Sequence, residues 1–89
     1  MTQDRWNSFT KSQQLLMIGS EIMRAKVWQK ENPLLFKEAL ERAFSLLDFS
    51  FEDPQWKENR YSLLVLREEL GKFYTGARTN SIEFLYQIL

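Results

Sequence analysis

Apolar residues return every third or fourth position through most of this chain, in three long segments where the spacing follows a period near 3.6 and not the period of 2 that strands require. The first segment predicts a helix from about Lys11 to Lys30. Thr10 stands at its N-cap with Gln13 three residues on, the pattern of a capping box, and Ser8 competes as a cap. In the second, Asn32 is the cap and Pro33 the first helical residue, where a missing N–H costs nothing, so a helix is expected over roughly Pro33 to Asp48. Asp53 followed by Pro54 repeats the device for a third helix reaching about Tyr74, and Gly76 supplies its C-terminal glycine. Asn80 with Glu83 three residues later is a further cap signal, placed before a short final helix in IEFLYQIL. Connections of a few residues between long helices favour antiparallel neighbours. The expected fold is all-α: an antiparallel up-down helical bundle of three long helices plus a short C-terminal fourth helix, in a single domain over residues 1–89.

Sorting these helices by face shows where apolar residues exceed what a core needs. The second helix divides cleanly. Leu35, Phe36, Ala39, Leu40, Ala43, Phe44, Leu46 and Leu47 share one side, and Glu38, Glu41, Ser45 and Asp48 the other. In the third, Trp56, Leu63, Leu66, Leu70, Phe73 and Tyr74 form a core stripe, but Tyr61, Leu64 and Val65 fall outside it. The first helix has one stripe at Leu15, Ile18, Ile22 and Ala25 and a second at Leu16, Met23 and Val27, with Gly19 and Ser20 beside the second. A helix apolar on two faces is either central in its domain or meets another chain, and so short a bundle has little room for a central helix. Glycine inside a helix costs about 0.5–1 kcal/mol relative to alanine. Gly19 is therefore either tolerated or marks a close helix approach, and Gly71 near Leu64 is its match on the third helix.

Composition narrows the function. Eighty-nine residues make one domain, and 44% apolar residues with 15% aromatics suffice for a core. Cysteine and histidine are both absent. That removes disulfides, thiolate zinc sites, cysteine nucleophiles, histidine-based triads and Glu-x-x-His di-iron sites, and it removes the histidine on which helical nucleases of the HEPN type depend. The amino-terminal stretch has an early acidic residue and only a four-residue apolar run, unlike a signal peptide, and no segment approaches eighteen apolar residues, so a soluble cytoplasmic protein without membrane contact is expected. Formal charge is zero overall: five basic against three acidic residues in 1–32, two against five in 33–55, five against four in 56–89. With no dense basic cluster, no nucleic-acid partner is expected.

Three constellations could carry chemistry. Glu21 and Arg24 are neighbours on the first helix, flanked by Met17 and Trp28, with Arg42, Arg67 and Glu69 at comparable edges of the other helices; these five form a candidate polar network, either a crevice for an anionic ligand or an ion-pair group that fixes helix register. Glu38, Glu41 and Asp48 resemble at first sight the Glu-x-x-Glu pairs with which all-α nucleotide pyrophosphatases hold magnesium. No second such pair lies on another helix to complete an octahedral shell, so they read as a solvated face, with no metal and no cofactor. FKEALERAF has a passing look of a tetratricopeptide helix, but the chain lacks the 34-residue period. The aromatics Trp6, Phe9, Phe49, Phe51 and Trp56 fit an end cap on a small core better than a binding patch.

The reading that follows is a non-enzymatic interaction module. It forms a homodimer or docks a helical protein partner through a candidate interface of Leu16, Gly19, Ser20, Met23, Val27, Tyr61, Leu64 and Val65. The alternative is a ligand-binding or catalytic bundle around Glu21 and Arg24.

Overall fold

The computed structural model describes every residue except Ile88, and it places five helices in the order α1 (Gln3–Asn7), α2 (Lys11–Trp28), α3 (Pro33–Phe51), α4 (Arg60–Thr75) and α5 (Glu83–Gln87). Among the described residues there is no strand. The capping rules act where the sequence puts them. Thr10 accepts from the Gln13 N–H while the Gln13 side chain returns to the Thr10 N–H, closing the capping box. Asn32 accepts from the Leu35 N–H with Pro33 behind it. Gly76 ends α4 at a left-handed φ of 82°, where a side chain would be strained.

Pairs of side chains fix the helix directions. Gln14 at the start of α2 bonds Asp53 just past the end of α3, so these helices run antiparallel. Asp48 of α3 pairs with Arg67 of α4 while the Phe44 and Tyr74 rings meet edge to face, which makes α3 and α4 antiparallel too. α5 runs back along α2, with Glu83 at Lys26 and Tyr86 at Gly19. The Cα radius of gyration, 12.7 Å, is near the ~12 Å of a compact chain of this length. The core takes Ile18, Ile22 and Ala25 from α2, Phe36, Ala39, Leu40, Ala43 and Leu47 from α3, Leu63, Leu66, Leu70 and Phe73 from α4, and Ile82 and Leu85 from the C-terminal segment.

Four boundaries differ from expectation. A short helix, α1, precedes the bundle, capped by Thr2 and anchored by the buried Trp6, whose indole N–H donates to Ser50 Oγ at 3.1 Å. α3 runs three residues beyond Asp48 because Ser50 donates to the Leu46 carbonyl inside the helix while Phe49 and Phe51 still pack on the core. The third predicted helix is split: Pro54–Trp56 form a single 3-10 turn under the Asp53 cap, and α4 begins at Arg60. Trp56 faces inward from this separate turn and donates to Gln14 Oε1, and after residues 57–59 α4 aims Leu63 and Leu66 at the core. At α5 the Glu83 N–H meets Ser81 Oγ at 3.3 Å, while Asn80 gives its carbonyl to the Gln29 side chain instead of capping. Ile88, within the expected final helix, lies outside the described residues.

Candidate functional site

The outer side of α4 carries apolar side chains that the fold does not use. With Leu63, Leu66, Leu70 and Phe73 turned inward, a 100° step per residue places Tyr61, Leu64, Glu68 and Gly71 on the opposite side and Val65 at its edge. Tyr61 is 78% exposed, Leu64 54% and Val65 37%. On one flank a groove of about 600 Å³ runs between this face and α3, bounded by Phe44, Arg67 and Gly71. On the other, a groove of about 510 Å³ runs toward α2, where Tyr61 and Val65 face Lys11, Leu15 and Leu89. A Cβ built on Gly71 meets no atom within 4 Å, so that glycine leaves an open notch in the same face.

The α2 members of the candidate interface sit elsewhere. Leu16 is 65% exposed and Val27 60%, Ser20 is exposed with its hydroxyl donated to the Leu16 carbonyl, and Met23 is half-buried. Gly19 is buried: a Cβ there would stand 3.0 Å from Tyr86 Cε2 and 3.2 Å from Leu89 Cδ1, so its close neighbour is the chain's own C-terminal segment. α5 lies against α2 through Gly19 and against α4 through the Phe73–Phe84 ring contact, which separates the outward stripe of α2 from that of α4. The eight residues therefore form two patches on two helices. Sequence reasoning did not single out Leu34, 67% exposed beside Pro33, or Tyr86, 44% exposed.

The five residues of the candidate polar network divide into three groups. Glu21, with its side chain 9% exposed, accepts from Arg24 one turn along α2 and, through its other oxygen at 2.7 Å, from Arg42 Nε on α3. Arg67 pairs with Asp48 and lies 5.2 Å over the Phe44 ring. Glu69 accepts from Lys72 on one oxygen, and its other oxygen lies 3.0 Å from Arg78 as an ion pair without a hydrogen bond. Beside Glu21 lies a groove of about 520 Å³ lined by Met17, Ser20, Arg24, Arg42, Ser45 and Phe49. Each arginine holds one oxygen of the Glu21 carboxylate, and both keep further N–H groups able to position an anion.

The most buried polar cluster was not anticipated. Gln14 is fully buried; its Nε2 donates to the Trp6 carbonyl at 2.9 Å and to Asp53 Oδ2 at 2.7 Å, and its Oε1 accepts from the Trp56 indole. Asp53, 1% exposed, also accepts from the Gln55 backbone and side chain. The signal was present, since Gln14 precedes Ile18 by one turn on the core stripe and a polar residue there must find partners. With each polar end satisfied within the chain, this cluster ties four segments together and presents nothing to a ligand. Glu38, Glu41 and Asp48 are exposed, and among the described residues no cluster of three acidic side chains could hold a metal ion. No helix among the described residues is long and apolar enough to cross a membrane. No family model, no curated protein and no solved structure matches the chain.

Proposed function

We propose that the chain is a non-catalytic protein-interaction module whose docking face is the outer side of α4. The observation behind this reading is the adjacency of Tyr61, Leu64 and Val65, three large apolar residues exposed together on a helix whose core stripe is already complete. Isolated exposed apolar residues are common, but a contiguous set flanked by two grooves marks a contact surface. The grooves run along the helix, which suits an apolar helix of a protein partner. The test is a photo-cross-linking amino acid placed at Tyr61 and, as control, at Glu41 on the solvated side of α3. Protein adducts in native lysate from position 61 and not from position 41 are expected. Absence of adducts at 61 overturns the reading.

A second reading is an anion-binding crevice beside Glu21, favoured by the half-exposed guanidinium groups of Arg24 and Arg42 at one groove. It requires that Arg24→Ala abolish retention of an anionic metabolite at nearly unchanged thermal stability. Loss of stability without loss of a ligand identifies a structural clasp.

A further inference from the structure

We infer that the occupant of the α4 face is a second copy of this chain, with its α4 running antiparallel to the first about a two-fold axis close to Leu64 and Val65. This rests on the reading of that face as a docking surface and adds the partner. The argument begins with charge. Arg60 and Glu68 lie one turn before and one turn after Leu64, both exposed, and among the described residues neither has an ion-pair partner. Eight residues separate them, about 12 Å along the helix axis, too far for them to pair with each other. An antiparallel copy reverses the order, bringing Arg60 of each chain to within about a turn of Glu68 of the other, so the contact forms twice. From Arg60 to Glu68 the face is positive, apolar, then negative, with Lys72 one turn further on held by Glu69, and that sequence of charges complements itself in an antiparallel two-fold pair.

Shape follows the same symmetry. Gly71 opens a notch in this face and has no packing partner that would reward a glycine inside the helix. The antiparallel arrangement carries Tyr61, the most exposed large apolar side chain of the face, toward the Gly71 notch of the second copy, again twice. Leu64 then meets the copy's Leu64 and Val65 near the axis. A sixteen-residue helix is about 24 Å long, so a single helix pair buries an area at the lower end of specific interfaces, and with the core of each chain already closed the dimer is a reversible one between folded monomers.

Sedimentation equilibrium on the purified full chain tests this from about 10 µM to about 1 mM, a range that spans half-association of a weak, reversible dimer. The wild type is expected to pass from one chain per particle to two. Arg60→Glu alone and Glu68→Arg alone each place two like-charged pairs across the axis and should weaken association about tenfold. The double variant Arg60→Glu/Glu68→Arg restores both pairs and should return to within about threefold of wild type, a rescue that generic surface damage cannot produce. Gly71→Leu, which fills the notch without touching the chain's own core, should abolish dimer formation at a melting temperature no lower than that of the wild type. A wild type that stays monomeric throughout overturns the inference, as does a double variant no better than the singles. Monomeric purified protein together with Tyr61-dependent adducts to another protein in lysate overturns the second copy while leaving the docking face standing; no adducts of either kind overturns both.

Discussion

Arg42 on α3 reaches across to Glu21 on α2, Nε to Oε2 at 2.7 Å, while Arg24 holds the other oxygen of the same carboxylate. One nearly buried acid therefore closes the edge between the two longest helices, and the asymmetry of exposure decides what it is worth. Glu21 is shielded, but the arginines are 61% and 51% exposed, so solvent screens the pair from their side. Glu21→Gln should cost about 1–2 kcal/mol, less than the 3–5 kcal/mol of a fully buried pair. Urea unfolding measures it, and a change below about 0.5 kcal/mol would show that the clasp contributes no more than a surface pair.

The Asp48–Arg67 pair makes the contrast. Both partners are well exposed, 62% and 41%, so Asp48→Asn is expected to cost under about 1 kcal/mol despite the close contact. An effect equal to that of Glu21→Gln in the same unfolding series would contradict the ranking by burial.

Gln14→Leu should be the most damaging single change outside the apolar core. It removes the acceptor of the Trp56 indole, leaving that buried N–H unsatisfied at about 1–3 kcal/mol, and it takes one donor from Asp53, which keeps those of Gln55. For a chain of this size that lowers the melting temperature by roughly 5–25 °C, read by calorimetry. A loss of only a few degrees would mean that water replaces the amide.

The two interior glycines should respond in opposite ways to alanine. At Gly71 the added methyl enters open space, and the gain in helix propensity raises stability by about 0.5–1 kcal/mol. At Gly19 the same methyl presses on Tyr86 and Leu89, so the C-terminal segment must move outward. Hydrogen exchange at Glu83–Gln87 should then accelerate in Gly19→Ala and stay unchanged in Gly71→Ala; equal protection in both would remove Gly19 as the seat of α5.

Much of the architecture was legible because its causes are local. The Thr10–Gln13 box, Asn32 with Pro33 and the glycine at 76 each depend on residues within a turn of one another, and the core stripes follow from helical period alone. The break between Trp56 and Arg60 was not legible, because a continuous helix would also carry Trp56 on the face of Leu63, and the partner that holds Trp56 in its separate turn is an amide forty-two residues earlier. The short α1 escaped for the same reason, its one buried residue being held by Ser50 from the far end of α3.

The candidate site divides along that line. Periodicity by itself identified Leu16, Met23, Val27, Tyr61, Leu64 and Val65 as apolar residues beyond the needs of a core, and absent histidine and cysteine set the limits on chemistry. Only the tertiary structure decided that Gly19 faces the chain's own Tyr86, that the five edge charges form three separate ion-pair groups, and that the α4 face lies apart from that of α2. A helix face is a property of spacing along one segment, whereas what covers that face depends on segments distant in sequence, and here the short α5 settles it for Gly19 while leaving Tyr61 and Leu64 open.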